Sequence, residues 1–527
     1  MNFVSFNFIV LCMITVCGYY ILPVKYRWVF IMAANVVFYQ SAGYRALGYI
    51  VLVAAVSWIG CLELTRMHQK EAEFLKVNKK NLSREEKKTV KHDNEKKRKK
   101  VLLLMIFLIV GQLAVIKYNV FFVENWNAVF GSKVNGLHLD MPLGISFYTI
   151  FVLGYCIDVY RGQYIAEKNF FKHFCVVSFF PCVSQGPIER YDHLKEQIFA
   201  QSSFAYQKIS FGLQRMIWGF FKKMVIADNV ATAVNTVFYN EQGIYKGFYI
   251  LVAAFLYAIQ LYADFSGYID IAAGISQMLG IELVENFETP YFSTNIAEFW
   301  RRWHISLGTW FKDYVFYSVL RSEWCQKLAK KTKCVSREFS SNLTTSIALL
   351  IIWSVIGFWH GSSWKYIAYG LYYGCIIIFS TWMKPVYQLV IAKLRINVSC
   401  FSWKLFQMIR TFSIVTFGYI LFCAKSLGDF FRLVKLLFCQ FNPWIFFNGG
   451  IFELGIDTSL ALVLFVAVGI LFFVDIFHEQ KWKLREKIAM QNEIFCAILI
   501  IGLILVILIF GAYGSGYNAS DFIYGQF

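Results

Sequence analysis

The sequence predicts an all-α, polytopic membrane bundle, and three observations carry that prediction. Apolar residues make up 58% of the 527. Many apolar runs reach the roughly 20 residues that a helix needs to cross a bilayer, and they recur from residue 3 to residue 511. The short polar segments between them are basic more often than acidic. We therefore expect one integral domain over residues 1–527, multi-pass in the cell (plasma) membrane, where a soluble chain of this length would split. The net charge of +18 sits largely in loops beside spans. There it orients the chain, so no nucleic-acid partner is expected and the lipid bilayer is.

The first run, FVSFNFIVLCMITVCGYYILPV, has no basic residue before it and no small-residue cleavage pattern. It reads as a retained span. Spans at about 3–23, 28–44 and 46–65 then lead to a basic loop at 66–100. Its part KEAEFLKVNKKNLSREEKKTVKHDNEKKRKK has thirteen basic and six acidic residues. Such clusters stay on the cytoplasmic side, so the N-terminus faces outward. The loop reads as a helical or frayed hairpin, a solvated topogenic segment or a docking surface for an acidic partner. A span at about 101–117 exits and one at about 141–160 returns. The basic segments 321–337, 384–395 and 481–487 fall inside. From residue 488 onward there is no Lys or Arg. The last span, about 493–511, therefore leaves the tail 512–527 on the extracytoplasmic side.

The thirteen cysteines are scattered and odd in number, with no CxxC pair. Neither a disulfide framework nor a metal site follows from them.

Polar groups inside apolar runs are costly and so are functional candidates. In YADFSGYIDIAAGISQMLG, Asp264 and Asp270 stand among small residues. Carboxylates bonded to backbone donors at a helix break are one reading; substrate or proton contact is the other. In ENFETPYFSTNIAEFWRRWHISLGTWFKDYVFY, Trp300, His304, Leu307 and Phe311 recur at helical spacing. Arg301, Arg302, Lys312 and Asp313 make this segment too charged to span. It reads as an interfacial or re-entrant helix near the cytoplasm, where a histidine beside two arginines is structural or meets an anionic donor. In SIALLIIWSVIGFWHGSSWKYIAYGLYYG, His360 interrupts an apolar stretch long enough for two spans. With Gly361, Ser362 and Ser363 it falls near the turn between them. Histidine takes and gives protons near neutrality, so this one is structural or catalytic.

Two strings carry a family resemblance. FWRRWHISLGTWFKDYVF, followed by IGFWHGSSWKYIAYGLYYG, resembles the membrane-bound O-acyltransferase (MBOAT) family. The similarity is to its bacterial branch, which holds the alginate O-acetylation membrane protein and the teichoic acid D-alanyl transfer protein. LGISFYTIFVLGYCIDVYRG (143–162), FFPCVSQGPIERY (179–191), GFFKKMVIADNVA (219–231) and YADFSGYIDIAAGISQMLG agree with it. The core with both histidine motifs is 285–383.

The resemblance implies about eleven spans plus re-entrant helices, with funnels from both sides meeting near His360. It implies an acyltransferase with no bound cofactor and no metal. Its acyl donor would be acetyl-CoA or, alternatively, a carrier-protein thioester, reached from the cytoplasm. The acceptor would be an extracytoplasmic glycan, reached through a partner of the SGNH-hydrolase type. His360 matches the FWHG histidine and becomes the expected general base, a role typically worth about 10²–10⁴-fold. His304 is expected to position the donor or stabilise charge, and Arg301 and Arg302 to attract donor phosphates. The ending FIYGQF resembles an aromatic tail motif of this branch whose tyrosine is held to carry the acyl group. Tyr524 takes that place, and an interfacial aromatic anchor is the competing reading. A tail motif on the enzyme itself favours acetyl transfer over the D-alanyl alternative. A glycan transporter or flippase is the reading from another class, although no internal repeat of the transporter kind is visible. A non-catalytic assembly scaffold is a third.

Overall fold

The structure is a computed structural model and describes residues 1–200, 202–240 and 242–513. Among these residues the elements are helices, and an isolated bridge joins Phe287 to Trp303. Among the described residues, seven helices are long and apolar enough to cross a membrane. The bent pair Trp364–Trp382 and Lys384–Lys393 raises this to eight. An all-helical chain with several candidate spans is therefore observed, and the expected count of about eleven is not confirmed. Three apolar helices near the start of the chain are shorter than a full span. Phe6–Ile21 and Ile145–Tyr160 have 16 residues each and Arg27–Gln40 has 14. At about 1.5 Å per residue these fall short of a 30 Å hydrocarbon core. Leu22 caps the first in extended conformation just before Pro23.

The chain packs as two compact units, Met1–Gly212 with Ala272–Val284, and Leu213–Ile271 with Glu285–Phe527. In the first unit the basic stretch is a helical hairpin. Its arms are the ends of Tyr44–Val77 and Arg84–Leu113. Ser83 starts the second arm with a capping box: its hydroxyl accepts from Glu86 N at 3.2 Å, and Glu86 accepts from Ser83 N at 2.7 Å. Across the arms Arg98 pairs with Glu71. Two of the acidic residues thus serve the hairpin, Glu86 at its cap and Glu71 across its arms.

In the second unit, Arg337–His360 and Trp364–Trp382 form a tight antiparallel hairpin. Glycines set its closeness. A Cβ on Gly370 would meet Trp353 O at 2.1 Å, and one on Gly357 would meet Tyr366 O at 2.3 Å. Small residues allow this approach of backbones, as in other membrane helices. The same device joins the Tyr206–Phe220 and Phe248–Met278 helices, where Gly219 lies against Gly267 O.

Candidate active site

The expected interfacial or re-entrant helix around His304 is not continuous. Ile296–Arg302 and Ile305–Phe311 are separate, broken at Trp303 and His304. Asn295 starts the first by accepting from Glu298 N at 2.9 Å. Trp303 then turns extended and His304 takes φ +47°. A left-handed backbone at a non-glycine residue costs about 1–3 kcal/mol and persists where surroundings impose it. Those surroundings are visible here. Glu288 N donates to Arg302 O at 3.0 Å, and Ile305 N donates to Asn286 O at 3.0 Å. The expected continuous aromatic face is therefore cut at the histidine, although His304, Leu307 and Phe311 are all buried.

His360 is the last residue of its helix. Gly361 follows in extended conformation, and a Cβ there would meet the Tyr366 ring at 2.3 Å. The His360 ring stands edge-on to Phe422 at 5.7 Å and to Tyr369 at 6.1 Å. Lys365 fixes that wall by donating to Phe422 O at 3.1 Å and Ala424 O at 2.5 Å. The turn position read from the sequence is thus where His360 lies.

The two histidines come to one place. The His304 ring packs against Phe265 at 4.8 Å and Trp359 at 6.2 Å, and Trp359 precedes His360. Both imidazoles are only 2% exposed. Burial, and secondarily the charge on His360, hold His304 well below the usual histidine range. It is a neutral ring at physiological pH, able to accept or hand on a proton.

The carboxylates differ from the expectation. Phe248–Met278 runs unbroken through both. Their partners are side-chain cations, not backbone donors at a break. Lys223 Nζ lies 2.8 Å from Asp264 and 2.6 Å from Asp228. Asp270 takes Lys222 at 2.7 Å and Arg215 at 2.8 Å, and Arg215 also holds Glu285. A π-helical turn, Phe221–Ala227, presents the two consecutive lysines. Sequence reading missed them, although two adjacent lysines among FF and MVIA were the available signal.

Arg302 is engaged by Glu479 at 2.7 Å and Glu298 at 2.8 Å, so its guanidinium clamps the turn. Arg301 is exposed. Asn286, also missed, binds the His304 turn through its side chain. Tyr524 lies outside the described residues.

The family model described as membrane-bound O-acyltransferase matches residues 168–424, the stretch that contains both histidines. The teichoic acid D-alanyltransferase of Bacillus subtilis is 30% identical over 54% of this chain and 69% of its own. The chain belongs to the membrane-bound O-acyltransferase family. Other members align over more of it. "Probable alginate O-acetylase AlgI" of Azotobacter vinelandii is 29% identical over 81% of this chain and 75% of its own. The peptidoglycan O-acetyltransferase of Helicobacter pylori is 28% identical over 63% and 64%. Several matched members, such as the Pseudomonas aeruginosa alginate protein at 59%, are covered over less than two thirds of their length.

Proposed function

We propose that the chain transfers an acyl group, acetyl from acetyl-CoA, from the cytoplasm toward an extracytoplasmic polysaccharide or cell-wall glycan. The observation that carries this reading is the meeting of His304 and His360 in a buried, aromatic-walled site within the family-matched region. Thioester and hydroxyl become ester and thiol. The hydroxyl oxygen attacks the thioester carbonyl, its proton passes to an imidazole, and that proton leaves on the thiolate. His360 is the general base that takes the hydroxyl proton. His304 serves the donor side, with Arg301 toward the donor phosphates. Arg302 is already matched by two carboxylates, which counts against a phosphate role for it. Asp264 and Asp270 support the site through their ion pairs.

The resemblance to alginate and peptidoglycan acetylation proteins supports a glycan acceptor. An SGNH-type partner outside the membrane completes the scheme. Tyr524 would carry the acyl group between His360 and that partner. The termini would both lie outside, by the distribution of Lys and Arg. D-alanyl transfer from a carrier protein is the second reading. The Bacillus relative and the basic hairpin at 70–100, suited to an acidic carrier, favour it.

The experiment is acyl mapping by mass spectrometry after feeding labelled acetyl-CoA to membranes containing the protein and its partner. Label on glycan and on Tyr524, lost in His360→Ala, is the expected result. No label with acetyl-CoA, but label with a charged carrier protein, would replace acetyl by the D-alanyl reading.

A further inference from the structure

Asn286 lies ahead of the broken turn and is fully buried. Its side-chain oxygen meets three groups of that turn. Ser306 N is at 3.0 Å, Ser306 Oγ at 2.9 Å and His304 Nδ1 at 3.2 Å. The backbone carbonyl of Asn286 accepts from Ile305 N at 3.0 Å. One residue thus holds the turn from both its main chain and its side chain.

This arrangement settles a proton. The two ends of a carboxamide are assigned from their partners. A main-chain N–H can only donate, so the Asn286 atom facing Ser306 N is the oxygen. That same oxygen faces His304 Nδ1. The ring nitrogen must therefore be the donor, and the lone pair of the neutral ring falls on Nε2.

We infer that Asn286 is a positioning residue that locks His304 in the Nδ1–H tautomer and presents Nε2 as an acceptor to the substrate. The inference rests on the reading that His304 serves acyl transfer, and it narrows that reading. A neutral imidazole with its proton on Nδ1 offers no N–H at Nε2, so it does not stabilise a thioester oxyanion from that atom. It accepts a hydrogen bond from a substrate O–H or N–H. Two groups have that chemistry, the acceptor hydroxyl and an amide N–H of a pantetheine arm. The backbone strain at His304 is consistent with a ring held for orientation. His360 is the titratable group that acts on this ring.

The test is nitrogen-15 NMR of protein labelled in its histidine rings, in lipid nanodiscs, with His304 assigned by signals lost in His304→Gln. The expected result is a protonated Nδ1 and an unprotonated Nε2 in the wild type. In Asn286→Ala the proton redistributes toward Nε2, and transfer slows about tenfold. A loss confined to kcat points to the hydroxyl; a rise in KM for the acyl donor points to the pantetheine amide. Asn286→Asp keeps the acceptor for Ser306 and places a carboxylate beside the ring. It should preserve folding and the Nδ1 proton, and move the acid limb of the rate profile to higher pH. A wild-type proton on Nε2 would overturn the inference. So would an Asn286→Ala or Asn286→Asp protein with unchanged ring signals and an unchanged pH profile. If the tautomer is as expected but His304→Gln transfers at the wild-type rate, the lock stands and the catalytic reading of His304 fails.

Discussion

Two buried histidines, one in each compact unit, look alike by burial and differ in backbone and surroundings. His173 sits in a regular helix, Phe170–Val177. Its Nε2 is 2.9 Å from Ser57 Oγ and its Nδ1 is 2.9 Å from Tyr191 OH. The Ser57 hydroxyl proton goes to Ala54 O at 3.0 Å, so Ser57 accepts from the ring and Tyr191 donates to it. Both ring nitrogens close a loop within the protein. Burial pushes this ring down to about 3. His304 instead has a left-handed backbone and a second titratable ring acting on it. The difference teaches that burial and a depressed pKa do not mark a reactive histidine. A relaxed backbone with a closed network marks a structural one, and a constrained backbone beside another base marks a candidate.

The largest expected effect extends that rule to the ion pairs. Lys223 pairs with Asp264 and Asp228 in the second unit and should behave as His173 does. Lys223→Ala takes the cation from the buried Asp264 and the half-buried Asp228. The expected loss is about 3–5 kcal/mol, seen as a lowered melting temperature in detergent. A Lys223→Ala protein of normal stability would break the rule. Next, His173→Ala takes the acceptor from the buried Tyr191 hydroxyl and should cost about 1–3 kcal/mol. The folded fraction should keep its transfer rate, measured per mole of folded protein.

The smallest effect concerns pH. Unfolded His173 takes up a proton below about 6.5, whereas the folded ring stays neutral down to about 3. Its contribution is therefore full above pH 6.5 and is lost as pH falls through the window between these values. The slope is about 1.4 kcal/mol per pH unit. Thermal melts of wild type and His173→Gln between pH 7 and pH 5 should show a weaker acid sensitivity in the variant. Parallel curves would assign the acid sensitivity elsewhere.

Much of this fold was legible in the residues, because bilayer crossing is written in long apolar runs. The turn at His360 followed from two span-lengths of apolar sequence interrupted once. The helices near Pro23 and Gly144 are a few residues shorter than the apolar runs that contain them, because the backbone breaks there while the apolar composition does not. The helical spacing of Trp300, His304, Leu307 and Phe311 concealed a break that Asn286 imposes from outside the window. Periodicity records which side chains are buried, and a broken pair of helices buries the same set. Lys222 and Lys223 escaped notice because a π-turn, invisible in composition, turns both toward Phe248–Met278.

The most direct test compares three variants, His360→Gln, His304→Gln and His173→Gln, in proteoliposomes under single-turnover conditions with labelled acyl donor. Rates are taken per mole of folded protein. The account predicts a fall of about 10²–10⁴-fold for His360→Gln, the scale of general acid–base catalysis. It predicts a clear loss for His304→Gln and a wild-type rate for His173→Gln. Full transfer by His360→Gln, or equal losses in all three, would contradict it.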